Sequence, residues 1–162
     1  MISNLDDLFL DTLQDVFYVE RTLVKRLPKM AAEASSSELK DAILGHLRES
    51  EIHVERLETI FDMMGKPASA KKCEALEGLL KEVVSVTGDI SDEDTRDAAI
   101  IALCQAIEHY EIARYGTLAC WAEELGGREI RLLLEETLEE EKEADQKLSA
   151  LAEGRINQRA AA

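Results

Sequence analysis

Carboxylates occupy positions in this sequence where apolar side chains are due. Leu13, Phe17, Val24 and Leu27 recur at helical spacings with Glu20 in their gap, and Ile100, Cys104, Ile107 and Tyr115 do the same around Glu111. Leu134, Leu138 and Leu148 leave two gaps, filled by Glu141 and Asp145, while a further stripe carries Ser50 with Glu49 and His53 at its edge. Carboxylates buried together are heavily penalised unless they are protonated or neutralised by a cation. Oxygen donors with an imidazole suit iron or manganese better than zinc, which prefers thiolates and more histidines. The residue types therefore point to a metal site built from Glu20, Glu49, His53, Glu111, Glu141 and Asp145. Glu108, one helical turn before Glu111, is an accessory or bridging ligand in this reading.

Such residues meet only if long helices bring them to one level. Charged residues make up 33% of the 162 and hydrophobic ones 46%, with two prolines and eight glycines, a balance that favours long helices over sheets rich in turns. The spacing predicts long helices over about 4–34, 37–64, 92–125 and 128–152, and a shorter one over about 72–87. Ser3 or Asn4 starts the first, and Pro28 kinks it without ending it. Ser35-Ser36-Ser37 and Gly126-Gly127 make tight links, so the helices form two antiparallel hairpins. About 25 residues between the hairpins are enough to cross the length of a bundle. The expected fold is all-α, a ferritin-like four-helix bundle in one domain over 1–162, whose long crossover carries a short fifth helix.

Height supports the convergence. Glu20 lies about 15 residues before the first hairpin turn, and Glu49 and His53 about 14 to 18 after it, within roughly one turn of each other at ~1.5 Å per residue. Glu111, Glu141 and Asp145 stand in the same relation to Gly126-Gly127. The halves also match at a displacement of 91: Glu20, Glu38, Leu47, Glu49 and Leu57 correspond to Glu111, Glu129, Leu138, Glu140 and Leu148. A pseudo-twofold axis follows.

Bundles that hold two irons take a glutamate from each of two helices and Glu-x-x-His from each of the others. Both paired motifs are half present here. Ser50 stands where a glutamate would precede His53, and Ala144 where a histidine would follow Glu141. Glu49 and Asp145 substitute in this reading, giving the i,i+4 pairs Glu49–His53 and Glu141–Asp145, and Glu140 ligates instead of Glu141 if the halves are strictly symmetric. His46, one turn from Glu49, either orients it or is an ordinary capping or surface histidine. His109 is read as a surface residue and Trp121 as packing, while Tyr18 and Tyr115 are read first as core packing, with hydrogen bonds to the acids or a place in an oxidation path as the alternatives.

A net charge of −15, from 19 basic and 34 acidic residues, repels phosphate backbones and anionic lipid heads, so neither nucleic acid nor a membrane is an expected partner. Arg155 and Arg159 are assigned to a frayed terminus. The amino end shows no basic segment leading into an apolar run, which predicts a cytoplasmic protein. Cys73, Cys104 and Cys120 lack CxxC spacing and are expected as reduced, packed thiols.

Several segments together resemble the YciE/YciF-like family of ferritin-like, stress-associated bacterial proteins: Tyr18-Val19-Glu20, His46-Leu47-Arg48-Glu49, Lys72 through Leu79, Arg96 through Ala99, Glu108 through Leu118, and Thr137 through Lys142. The resemblance spans nearly the whole chain and implies a ferritin-like fold, a homodimer and a di-iron centre. The functional expectation is a stress protein that holds two irons, or an iron–manganese pair, and uses them in oxidation by oxygen or peroxide. Its rival is a non-catalytic helical dimer that acts as a structural or partner-binding protein, with the seam acids serving specificity.

Overall fold

A computed structural model describes residues 2–162, and every regular element among them is helical. Helix α1 (Leu5–Glu33) starts where the Asn4 side chain accepts a hydrogen bond from the Asp7 backbone N–H, satisfying a donor that a helix start leaves unpaired. It runs on past Pro28. Ser36 caps α2 (Ser37–Met63) through the Leu39 N–H, and Gly65 ends it at a φ of 65°, a left-handed conformation that glycine adopts without steric cost. Helix α3 (Glu74–Gly88) is capped by the Cys73 sulfur, and α4 (Glu93–Glu124) by Asp92. Gly126, with φ at 75°, turns the chain into α5 (Arg128–Leu151). These bounds fall within two residues of those expected.

The carboxyl end departs from expectation. Rather than fraying, the chain continues from α5 through a π-helical turn, Ala152–Ile156, into α6 (Asn157–Ala160). Ile156 is buried in the core, and that apolar anchor holds Arg155 and Arg159 in helix.

The long helices form a ring in which α1 neighbours α2 and α4, and α5 neighbours α2 and α4, with α3 laid against α4. Ser35 at the end of α1 meets Asp97 at the start of α4, and Glu49 of α2 meets Lys147 late in α5, so neighbours run antiparallel. The architecture is the ferritin-like bundle, in which α3 and its flanking loops return the chain to the far end.

Two apolar clusters fill the bundle. One gathers Phe9, Leu13, Phe17, Leu57, Phe61 and Leu134 near one end, and the other Leu23, Leu27, Leu39, Ile43, Ile100 and Leu148 towards the opposite end. Each helix contributes polar buried residues where it passes between them: Glu20, then His46, Ser50 and His53, then Glu108 and Glu111, then Glu141. Two expected inward residues sit at the flank. Val24 and Leu138 are only half-buried, while Leu23 and Thr137, one position earlier and ~100° around the helix, face the core. Cys73 and Cys104 are buried, but Cys120 is exposed rather than packed.

Asp97 ties the first hairpin to the second. Its carboxylate is buried and accepts from the Ser35 and Ser36 backbone N–H groups at 2.8 and 2.7 Å. Replacing it leaves two turn donors unpaired, and hydrogen bonds to a charged group are worth about 1.5–3 kcal/mol each. Asp97→Ala is expected to lower unfolding free energy by at least about 2 kcal/mol in urea titrations, with Asp97→Asn recovering only part of the loss.

Candidate metal centre

Buried side chains of α2 recur at intervals of three and four, Ile43, His46, Ser50, His53 and Leu57, so one face passes from apolar cluster to polar belt and back. The same holds in α5, where Leu134, Thr137, Glu141, Ala144 and Leu148 face inward. In the belt, His53 Nδ1 lies 3.1 Å from Glu20 Oε1 and 3.0 Å from Glu141 Oε1, so one ring nitrogen is shared by two carboxylates. Tyr115 Oη donates to Glu20 Oε1 at 2.6 Å. On the other side of Glu141, His46 Nε2 is 3.5 Å from Glu108 Oε1. Two sets of donors result, Glu20, His53 and Glu141, and His46, Glu108, Glu111 and Glu141, each with ligand atoms within 4.8 Å of one another. Glu141 belongs to both.

Hydrogen bonding leaves this belt unfinished. Among the described residues, six buried side-chain polar atoms have no partner within hydrogen-bond distance: Glu20 Oε2, His46 Nδ1, Glu108 Oε2, both oxygens of Glu111, and Glu141 Oε2, the other Glu141 oxygen being the one beside His53. All belong to the two donor sets. A buried polar atom without a partner costs about 1–3 kcal/mol, and folded proteins rarely collect several in one place. Carboxylate oxygens and imidazole nitrogens are the donor chemistry of iron and manganese, so the residues present fit the pair of ions that the fold implies.

The surrounding charges set the proton positions. Burial opposes a charge on His53, but the carboxylates of Glu20 and Glu141 outweigh it and raise its pKa to about 11. Burial pushes the Glu108 and Glu111 carboxyls well above their usual range, and the neighbouring Glu141 charge adds to the shift. Glu141 goes the other way: burial opposes its charge, yet the hydrogen bond with His53 and the nearby His46 hold it below the ordinary value. Behind His53, its second nitrogen lies 2.8 Å from Glu140 Oε2, and Arg56 donates to both oxygens of Glu140 at 2.7 and 3.3 Å. Glu140 is thus placed to orient His53, as outer carboxylates orient metal-binding histidines.

Of the residues singled out in the sequence, the structure brings Glu20, His53, Glu108, Glu111 and Glu141 together. Glu49 and Asp145 lie outside the two donor sets. Each is one residue away from a core position, Ser50 or Ala144, which turns it ~100° towards the flank. There Lys147 donates to Glu49 at 3.2 Å, and Gln105 donates to Asp145 at 3.0 Å. Neither of the i,i+4 pairs Glu49–His53 and Glu141–Asp145 therefore supplies two ligands to one donor set. His46, assigned in the sequence to orienting, capping or the surface, is buried among the donors instead. The missed signal was its spacing: with Ser50 inward, residues four before and three after it, His46 and His53, must share the stripe. Tyr115 packs in the core and its hydroxyl also donates to Glu20, so both readings of this residue hold. His109 is exposed as expected.

Comparison with known proteins follows the same outline. The family described as "Domain of unknown function (DUF892)" matches residues 4–161. The chain belongs to this family. Protein YciF of Escherichia coli (strain K12) is 40% identical over 160 residues, 98% of this chain and 96% of that protein, as the YciE/YciF-like resemblance implies. The solved structure of the E. coli stress protein YciF aligns with a TM-score of 0.90 over 96% of this chain and 99% of that one, at 39% identity. YcfI of Rhodopseudomonas palustris, for which a structural role has been suggested, aligns with a TM-score of 0.90 at 44% identity, over 91% of this chain and 94% of that one. A protein of Xanthomonas campestris pv. campestris shares the fold at 20% identity, with a TM-score of 0.76 over 99% of this chain and the whole of that one. Among the described residues, no helix is long and apolar enough to cross a membrane.

Two measurements on metal-free protein test this description of the DUF892 belt. His53 has a folded pKa raised from 6.5 to about 11, so its contribution is fully present below 6.5 and is lost as pH rises through about 11. Glu108 and Glu111 act in the same sense, favouring the fold below 4.5 and losing that advantage as pH rises through their raised values. Glu141 has the opposite sign, but its contribution fades only as pH falls below 4.5. Thermal melts of chelator-treated protein are therefore expected to show Tm falling between about pH 7 and pH 10; a flat or rising profile contradicts these protonation states. Glu111→Leu removes two unpartnered oxygens and is expected to raise metal-free stability by about 1–3 kcal/mol in chemical denaturation.

Proposed function

We propose that the belt holds two metal ions, iron or an iron–manganese pair, in a stress protein whose chemistry is linked to oxygen or peroxide. The observation that carries this reading is that every buried polar atom lacking a partner among the described residues belongs to one contiguous set of carboxylates and imidazoles. Glu20, His53 and Glu141 would hold one ion and His46, Glu108, Glu111 and Glu141 the other, Glu141 being common to both donor sets. A metal pair so placed supplies the electrons that reduction of oxygen or peroxide requires. Around it, Glu140 keeps a proton on the outer nitrogen of His53 and frees Nδ1 for the interior, and Tyr115 fixes the rotamer of Glu20. The apolar clusters close the belt on both sides along the bundle. The stress role is supported by the likeness to the E. coli stress protein YciF, and a cytoplasmic setting by three free cysteines, one of them exposed.

A second reading is a structural homodimer that uses no metal, supported by the role suggested for YcfI and by Ser50 and Ala144 in the paired motifs. Metal binding separates the two. Ferrous iron added anaerobically is expected to give about two ions per chain after desalting, and Glu141→Ala to lose at least one, since both donor sets use it. Asp145→Asn is expected to keep both. If the unaltered protein retains no stoichiometric metal, the structural reading stands and the metal reading does not.

A further inference from the structure

A second feature adjoins the belt. Between α1, α2, α4 and α5 a cavity of about 180 Å³ opens to the surface, and its floor includes His46 and Glu108. Its walls are chiefly apolar, with Leu27, Ile43, Cys104, Ala144 and Leu148 lining it. His46 Nδ1 and Glu108 Oε2, both on residues more than nine-tenths buried, have no hydrogen-bond partner. Gly45 borders the cavity in mid-helix, where glycine is unfavourable, yet a Cβ there would meet only Arg48 Nη2 at 3.8 Å. Packing does not demand this glycine; the space beside it is kept open.

Size and chemistry narrow the occupant. An apolar cavity of about 150 Å³ in another protein holds benzene, so this one accommodates a single ring with a small substituent. At the rim Lys147 is paired with Glu49, which leaves the charge of Asp41 to repel anions, and the buried Glu108 carboxyl at the floor offers them no counter-charge. An organic cation would lose its hydration against Leu27, Ile43 and Leu148. We propose that the cavity is a binding subsite for one small uncharged molecule of phenol's size, whose apolar body lies on these walls and whose single polar group meets His46 and Glu108. Its place in the chemistry, as the site from which a ligand reaches the second metal ion, rests on the metal reading above.

Phenol itself is the probe, with benzoate as the anionic counterpart, titrated calorimetrically into metal-free protein and into protein loaded anaerobically with ferrous iron. One phenol per chain, methyl NMR shifts at Ile43 and Leu148 in the metal-free protein, and no uptake of benzoate are the expected results. Gly45→Leu fills the mouth and is expected to weaken phenol at least about tenfold, equivalent to the loss of ~1.4 kcal/mol, with iron per chain unchanged. Gly45→Ala, compatible with any helix, gives a smaller weakening and guards against misfolding of the larger variant. No saturable phenol binding, shifts elsewhere in the protein, or binding indifferent to both variants overturns the subsite. Phenol bound where no iron binds overturns the metal reading alone, and iron bound with no phenol overturns the subsite alone.

Discussion

Ionisable groups in the middle of an apolar bundle are the constraint from which the rest of this structure follows. Glu20, His53, Glu111 and Glu141 have no solvent exposure, and His46 and Glu108 almost none. Transferring even one unpaired carboxylate from water to such a place is more costly than leaving it neutral, which is why burial raises the Glu108 and Glu111 carboxyls well above their usual range while the hydrogen bond with His53 holds Glu141 below it. The apolar residues cannot occupy one continuous core under that constraint. They divide into a cluster on each side of the belt, and the length of the helices follows from the need to close both.

The two halves of the chain answer the constraint unequally. Glu20 and Glu111 are equivalent across the displacement of 91, and so are Ser50 and Glu141, but the histidines have no such counterparts: His53 corresponds to Ala144, and His46 to Thr137. Both imidazoles therefore come from α2. Small residues make this possible, because Ala144 leaves space in the cavity that His46 and Glu108 also border. The motifs that look incomplete along each helix are completed between helices. Glu49 and Glu140, equivalent in the repeat, lie at the outer sides of the two histidines, Glu140 at 2.8 Å and Glu49 at 3.8 Å. Arg56 and Lys147 hold them there from the flank.

Stability and site chemistry oppose each other in this arrangement. Six partnerless atoms lie where leucines would pack, yet the belt is braced at its margins by Tyr115, Arg56 and Glu140. Asp97 closes the turn between α1 and α2 on the start of α4, which fixes the axial level of one hairpin against the other. A slip of one turn between hairpins would move donors by ~5.4 Å and dissolve both sets.

Much of this was legible from residue order. Helix spans, the crossover and the acids Glu20, Glu108, Glu111 and Glu141 follow from caps, glycines and the 3.6-residue period, all of which act within a few turns of one helix. Flank positions were less legible. Periodicity locates a stripe but not its edge, so Glu49 and Asp145 entered the candidate set although ~100° of rotation places each beside Lys147 or Gln105. The spacing from Ser50 puts His46 on the stripe, but how deeply it is enclosed was invisible, because only the approach of α4 and α5 covers it. Burial of Ile156 was equally invisible, since the surface that covers it belongs to helices remote in sequence. The sequence by itself determined the helices and which faces of them carry acid, because those are local; which acids share an ion site, and which merely flank it, only the packing of four helices decided.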